Sequence, residues 1–196
     1  SGVRDPMRTS LAFRSSAVPL FVTALAASAL LAGAANAALS SPSGAHVGFA
    51  AAGPAGMKIE GTTSDLNVTD DGTTLTIDVP LANLSTGIAL RDHHMREKYL
   101  EVGKFPTATL QVARSALKVP APGAGVELDV PGTLQLHGQK RAVTVHYDAK
   151  GDGGALNAHG RLHVNMNDYG ITVPTYLGVT VKPDVDIVAT FRVAGS

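Results

Sequence analysis

The sequence predicts an all-β protein, an antiparallel barrel or sandwich of about eight strands with one short helix. Short runs in which apolar and polar residues alternate recur between residues 46 and 193, and such alternation is typical of half-buried strands. Segments rich in Gly and Asp separate the runs. These segments are predicted to be turns because both residues accept positive φ. A helical spacing of apolar residues occurs only near residues 95–100. Evenly spaced strands without intervening long helices favour antiparallel topology.

The N-terminal region is predicted to lie outside the fold. Residues 1–6 look like upstream or vector-derived sequence before Met7, and residues 7–37 read as a secretory signal peptide. This segment has a basic start, an Ala-rich apolar core and small residues before the expected cleavage after Ala37. An uncleaved membrane anchor is the alternative, because the apolar run is nearly long enough to span a bilayer. The chain has no cysteine and so no lipidation box. We therefore expect a secreted, periplasmic protein.

The strands are predicted in order from alternation and turn residues. Residues 38–45 are small and polar and read as a flexible lead-in to a domain over residues 46–196. A first strand covers residues 46–52, and an extended run continues to residue 68 with a bulge or bend at Gly61. Asp70-Asp71-Gly72 then predicts a tight hairpin turn.

The remaining strands show inward apolar rows, and the rows are rich in small and branched aliphatics. One strand spans residues 74–80, with Pro80 at a frayed or edge position. Others follow near residues 108–113, 126–136, 143–149, 156–166 and 185–193, and the strand over residues 126–136 has an interruption at Pro131-Gly132. An eight-stranded barrel has just enough bore to be packed solid or to hold one slim ligand. Both outcomes are open at this point.

Composition and motifs disfavour several functions. The formal charge is zero and no basic stripe is present, which disfavours nucleic acid as a partner because phosphate neutralisation supplies most of that affinity. The histidines are scattered and no cysteine is available, so we expect no metal site. No Gly-x-Ser-x-Gly elbow is present. A small hydrolase or isomerase acting on a hydrophobic substrate would depend on Asp92 and His94, and we expect no enzyme.

Residues 84–110 hold the densest group of charged, imidazole and large side chains. Arg91 carries a planar fork of donors and Asp92 is an acceptor, so the two can bind a polar head group or simply fix each other. Asp92 could also cap a helix over residues 95–100. Tyr99 and Phe105 beside this group could seal one end of a barrel or form a movable lid.

The same region carries a family resemblance. The motifs are TG-x-x-x-RD-x-HM from Thr86, Lys104-Phe105-Pro106, Leu134-x-Leu136-His137-Gly138 and Asp168-Tyr169-Gly170. Together they resemble the YceI family of bacterial periplasmic proteins. The resemblance implies a lipocalin-like, eight-stranded antiparallel β-barrel that holds a polyisoprenoid, for example an isoprenoid quinone, with its mouth near the Arg-Asp-x-His stretch.

These considerations give two sets of candidate binding residues. The head group or barrel mouth is assigned to Arg91, Asp92, His94, Tyr99, Phe105 and Tyr176. The apolar tunnel is assigned to Leu75, Ile77, Leu110, Leu134, Leu136, Val145, Tyr147, Leu162, Val164, Val185, Ile187 and Phe191.

The expected function is periplasmic binding or carriage of a polyisoprenoid or similarly long apolar lipid. We expect no required cofactor, although an isoprenoid lipid or quinone is expected as the bound ligand. The alternative is an interaction module, in which a filled barrel docks an inner-membrane redox protein or a stress-response partner. Homodimer formation is left open.

Overall fold

The computed structural model describes residues 42–176 and 179–194. The predicted upstream remnant over residues 1–6 and the predicted signal peptide over residues 7–37 lie outside these described residues. The strands in chain order are β1 (Ser43–Ala52), β2 (Lys58–Thr63), β3 (Asn67–Asp70), β4 (Thr74–Pro80), β5 (Thr107–Ala113), β6 (Gly125–Leu136), β7 (Gln139–Asp152), β8 (Ala155–Asn165), β9 (Thr175–Tyr176), β10 (Val179–Thr180) and β11 (Asp184–Ala194).

The helical elements are short. They are the α-helix α1 (Ala89–His94), a π-helical turn (Met95–Tyr99) that continues it, and three 3-10 turns (Pro54–Gly56, Arg114–Ala116 and Met166–Tyr169). Within the described ranges, no helix has both the length and the apolar character needed to cross a membrane.

Nine strands form one antiparallel sheet in the order β2-β1-β11-β8-β7-β6-β5-β4-β3, and β9 and β10 form a separate hairpin. The sheet curls into a half-barrel, because inward side chains of β1 and β11 pack in one cluster with those of β3 and β4. Near the β2 edge, Thr62 and Ser85 exchange backbone hydrogen bonds of 2.8 and 2.9 Å. The predicted antiparallel barrel class is confirmed, with nine strands in the main sheet where eight were expected.

The N-terminal strands differ in detail from the prediction. β1 begins at Ser43, inside the segment predicted as a flexible lead-in, and pairs with β11 from that residue. The chain between residues 57 and 68 breaks at residues 64–66, between β2 and β3, and Gly61 lies within regular β2–β1 pairing. A Cβ at Gly61 would lie 2.3 Å from Cε1 of Phe49. Gly61 therefore makes room for an aromatic ring and forms no bulge.

The predicted interruption at Pro131-Gly132 is also absent. β6 pairs with β7 without a break from Gly125 to Leu136. On its other side β6 pairs with β5 only from Gly132 onward. Pro131 therefore lies just beyond the end of that ladder, where its missing N–H leaves no β5 partner unsatisfied. Pro80 behaves as predicted, because β3 pairs with β4 only as far as Asp78.

The helix starts earlier than predicted. We placed it at residues 95–100, with capping by Asp92 as one alternative, but α1 begins at Ala89 and its N-cap residue Ile88 makes no side-chain cap. Asp92 lies inside the helix, where its backbone N–H donates to the Ile88 carbonyl at 2.9 Å. Met95 is buried with Leu81 and Leu84. This packing holds the helical segment against the half-barrel.

Candidate functional site

The concave face of the sheet surrounds a cavity of about 880 Å³. Ligand pockets commonly measure roughly 300–1,000 Å³, so this cavity can hold an extended organic molecule. All twelve residues assigned to the apolar tunnel line it: Leu75, Ile77, Leu110, Leu134, Leu136, Val145, Tyr147, Leu162, Val164, Val185, Ile187 and Phe191. They come from β4 to β8 and β11 because inward positions on neighbouring strands share one face of a sheet.

The wall of the cavity is mostly hydrocarbon, and its charged groups are cationic. Arg91 and Lys98 line it, and no Asp or Glu of the described residues does so. Two histidines also border it, His94 and His159, and the ring of His159 hydrogen-bonds the Asp148 carboxylate at 2.8 Å. The cavity thus combines an apolar wall with local positive charge.

The cavity meets solvent where its lining residues are exposed. These residues come from three segments, namely residues 54–57, residues 86–98 and residues 174–175. The first two segments are connected to opposite sides of the isolated antiparallel bridge between Thr62 and Ser85. In the third segment, the Pro174 carbonyl accepts from the Val181 N–H at 3.0 Å, and the neighbouring Lys182 N–H donates to the Ala52 carbonyl at the end of β1 at 2.8 Å. We call this opening the mouth.

At the mouth, Arg91 and Asp92 are joined through Thr86 and make no direct bond. Asp92 accepts from the backbone N–H of Thr86 at 2.6 Å, from its hydroxyl at 2.5 Å, and from the Ser85 hydroxyl at 2.6 Å. The same Thr86 hydroxyl accepts from Nε of Arg91 at 2.7 Å, and the Thr86 carbonyl accepts from Nη2 at 2.9 Å. Asp92 therefore orients Thr86, and Thr86 orients the guanidinium.

Arg91 and Asp92 thus have different roles. Within the described chain, no carboxylate lies within 4 Å of the Arg91 guanidinium, whereas Asp92 has Arg96 at 3.8 Å. Hydrogen bonds from Ser85 and Thr86 lower the pKa of Asp92 to about 2. Asp92 is buried and does not line the cavity. The site role assigned to Asp92 is therefore one of positioning, and Arg91 is the group that can meet a ligand.

Of the other residues predicted at the mouth, two line the cavity. Exposed His94 and half-buried Tyr99 line the cavity, and the ring of Tyr99 lies 5.6 Å from Nζ of Lys98. No hydrogen bond joins Asp92 to His94 in the described chain. The backbone of Tyr176 belongs to β9, and its side chain lies outside the described part of the structure.

Phe105 was predicted at the mouth, and the structure places it elsewhere. Its ring packs against His137, with centroids 4.6 Å apart, and it lies over Gly138, where an added Cβ would approach within 2.7 Å. The His137 ring hydrogen-bonds the Tyr169 carbonyl at 3.0 Å and Glu101 at 3.1 Å. Three of the family-like motifs therefore meet in one structural cluster, which explains why Phe105 does not line the cavity.

Sequence reasoning missed several residues of the site. Ser85 and Thr86 were not assigned to the site, because nothing local in the sequence shows that their hydroxyls reach Asp92. Exposed apolar residues at the mouth, Ile88 and Leu90 among them, line the cavity and were not assigned to it. Their signal was available, since large apolar side chains beside a charged stretch are unusual. Within the described ranges, no group of three or more His, Asp or Glu residues is placed to hold a metal ion.

A curled antiparallel sheet around one large apolar cavity defines a class of small-molecule-binding half-barrels. A family model described as a YceI-like domain matches residues 39–193. The chain therefore belongs to the YceI family. A UPF0312 protein of Pseudomonas savastanoi pv. phaseolicola is 29% identical over 133 residues, which cover 64% of this chain and 67% of that protein. A UPF0312 protein of Pseudomonas fluorescens is 32% identical over 120 residues, 58% of this chain and 60% of that protein.

Solved structures share the fold at low sequence identity. A domain from Saccharophagus degradans, described as polyisoprenoid binding and implicated in plant cell wall breakdown, superposes with a TM-score of 0.68. It is 16% identical, and the match covers 81% of this chain and 98% of that domain. BcnA of Burkholderia cenocepacia superposes with a TM-score of 0.61 at 16% identity, over 76% of this chain and 95% of BcnA.

Proposed function

We propose that this protein binds one long apolar lipid of the polyisoprenoid class, such as an isoprenoid quinone, inside the half-barrel. The observation that carries the proposal is the cavity of about 880 Å³ with its aliphatic wall. The structural neighbour from S. degradans, described as a polyisoprenoid-binding domain, supports it. We further propose that the chain is exported to the periplasm and carries the lipid there.

The chemistry of the wall fits a prenyl tail. Inward Leu, Ile and Val side chains offer dispersion contacts and few hydrogen-bond partners, so they suit a hydrocarbon without polar groups along its length. Each buried methylene contributes about 0.8 kcal/mol. Affinity therefore grows with tail length, while the head group needs few contacts.

The polar head is proposed to lie at the mouth beside Arg91. Its guanidinium lines the cavity and is held by two hydrogen bonds from its Nε and Nη2 to Thr86. Nη1 remains free of protein hydrogen bonds within the described residues, and a guanidinium N–H readily donates to a quinone or phosphate oxygen. Because Thr86 fixes the fork in advance, little side-chain entropy is lost when the head binds.

The alternative of an interaction module rested on a filled barrel. The open cavity removes that premise, and docking of an inner-membrane redox or stress-response partner, like homodimer formation, stays a prediction.

The test is to purify the protein from its native cell envelope under mild conditions, extract it with organic solvent and identify the extract by mass spectrometry. A matched sample that has been unfolded, washed free of lipid and refolded gives the background. The proposal expects an isoprenoid lipid at near one-to-one stoichiometry in the first sample only. Repeated preparations with no stoichiometric lipid would contradict it. Osmotic-shock fractionation tests the periplasmic location separately.

A further inference from the structure

We propose that the mouth docks on a lipid bilayer whose surface carries anionic head groups. This goes beyond the proposed binding of a lipid, because docking requires no occupant in the cavity. The surface concerned consists of Met57, Ile88 and Leu90, which we call the apolar rim, together with the cationic side chains beside it.

The apolar rim is defined by exposure. Among the described residues, the exposed large apolar side chains are Met57 at 56%, Ile88 at 53%, Leu90 at 66% and Val119 at 56%. The first three line the cavity and Val119 does not. Single exposed apolar residues are normal on a protein surface, but three at one opening mark an interaction site.

The three residues come from two segments that the fold brings together. Met57 immediately precedes β2, Ile88 immediately precedes α1, and Leu90 is the second residue of α1. An isolated antiparallel bridge joins Thr62 of β2 to Ser85, which precedes α1. Met57, Ile88 and Leu90 all line the same cavity, so the beginning of α1 and the loop before β2 both border it.

The charges beside the rim suit an anionic surface. Arg91 and Lys98 line the mouth, and His93 and His94 are exposed next to them. Asp92 is buried and accepts hydrogen bonds from Ser85 and Thr86, so its charge is turned away from solvent.

Two further acids lie near the rim. Glu60 is paired with Lys58 at 2.5 Å, which leaves Glu97 as an exposed acid in this helical segment. Basic residues near an anionic membrane are attracted to its surface potential, and apolar side chains then insert at the interface. The combination of a cationic mouth and an apolar rim therefore favours a bilayer over a neutral protein surface.

Docking in this orientation would let a lipid tail pass between bilayer and cavity without crossing water. An exposed tail would lose about 0.8 kcal/mol for each methylene that enters water. A mouth pressed against the bilayer avoids that barrier, which gives a reason for exposed apolar side chains at this opening.

The experiment uses the full chain, which contains no cysteine, so an introduced cysteine is a unique labelling site. Ile88→Cys and, as a matched control, Val119→Cys are each labelled with the environment-sensitive fluorophore NBD. Both are mixed with vesicles of phosphatidylcholine alone or of phosphatidylcholine with phosphatidylglycerol, none of which contains an isoprenoid. Both proteins share the same N-terminal segment, so any tethering by that segment affects them equally.

The proposal expects a blue shift and at least about a twofold rise in emission for the label at residue 88 with anionic vesicles. It expects a smaller response with neutral vesicles, a response that weakens as salt is raised, and little change for the label at residue 119. Leu90→Ser in the labelled background should lower the vesicle affinity by about tenfold, since one leucine no longer inserts.

Three outcomes would overturn docking. Equal responses at residues 88 and 119, or none at either, would show that the mouth does not face the bilayer. A shift at residue 88 that grows with protein concentration without vesicles would assign the rim to a second copy of the chain. A shift that persists after the vesicles have been pelleted would assign it to lipid taken into the cavity. Because these outcomes are read without isoprenoid, they are distinguishable from failure of the proposed lipid binding.

Discussion

Gly160→Leu should abolish tight lipid binding while the fold is retained. Gly160 lies in β8 opposite Tyr147 of β7 and Ala189 of β11, and all three line the cavity. A Cβ built at Gly160 meets only Cγ1 of Val145 within 4 Å, at 3.6 Å, which is an ordinary contact. A leucine can therefore extend into the cavity without a clash at its Cβ.

The expected loss follows from the volume that the new side chain occupies. Leucine adds about four carbon atoms to the cavity, so it displaces about four tail carbons. At about 0.8 kcal/mol for each methylene, this removes about 3 kcal/mol of binding free energy, which is about a 200-fold rise in Kd. The folded state should be as stable as before or more so, because a strand glycine lacks a side chain to pack.

The assay is co-migration of a long-tailed ubiquinone with the protein on gel filtration, with the quinone extracted and quantified by its absorbance. Arg161→Leu is the matched control, because it adds the same side chain at the next position of β8, on the exposed outer face. Melting temperatures are measured for both variants. If Gly160→Leu keeps wild-type stoichiometry and Kd with an unchanged melting temperature, the tail does not occupy this cavity.

Three further predictions test the mouth and the sheet. Arg91→Gln should weaken ubiquinone binding by about tenfold, because a hydrogen bond from a charged donor is lost. Arg141→Gln should not, because among the described residues its guanidinium bonds only the Lys140 carbonyl; equal affinities of the two variants in gel-filtration titrations would remove Arg91 from the head-group site. The pKa of Asp92 is lowered to about 2 in the folded protein, so its contribution to stability is fully present above its unfolded pKa of about 4 and is lost as pH falls toward 2. Asp92→Asn should therefore reduce the fall in melting temperature between about pH 4 and pH 2, and an unchanged fall would count against these hydrogen bonds. Gly61→Ala should lower the free energy of unfolding by about 1–3 kcal/mol because its Cβ would meet the Phe49 ring at 2.3 Å. Gly103→Ala, whose Cβ would have no other atom within 4 Å, should leave the free energy of unfolding unchanged in urea denaturation, and equal effects of the two variants would refute the steric reason.

The interior of the fold could be predicted from the sequence because strand geometry is local. Successive side chains point to opposite faces, so a row such as Leu75, Ile77 and Val79 must share one face once the strand forms. The direction in which that face curls depends on pairing between distant strands. The apolar rows alone were compatible with a filled barrel as well as a hollow one.

Other features depended on contacts that no local pattern records. Gly61 was predicted as a bulge or bend, but glycine is needed there because a side chain would collide with the Phe49 ring on the neighbouring strand. Pro131 looked like a strand break, but it lies where the β5 ladder has ended. Phe105 lies near Arg91 in sequence, and its partners His137 and Gly138 follow more than thirty residues later. Sequence proximity therefore misplaced one mouth residue.

The hydrogen-bond relay at the mouth shows the same limit. The sequence identified Arg91 and Asp92 as a pair that could bind a polar head group or fix each other. The structure joins them through Thr86, six residues before Asp92. This changes the role of the carboxylate from a ligand contact to the orientation of the arginine.

Intermolecular NOEs can show whether a lipid tail occupies the half-barrel. The protein is labelled with 13C in its Leu, Ile and Val methyl groups and mixed with unlabelled long-tailed ubiquinone. We expect NOEs from tail protons to the methyls of cavity residues such as Leu134 and Ile187, and none to Val119 on the exterior. NOEs confined to exterior methyls, or none to the cavity under saturating quinone, would contradict the account.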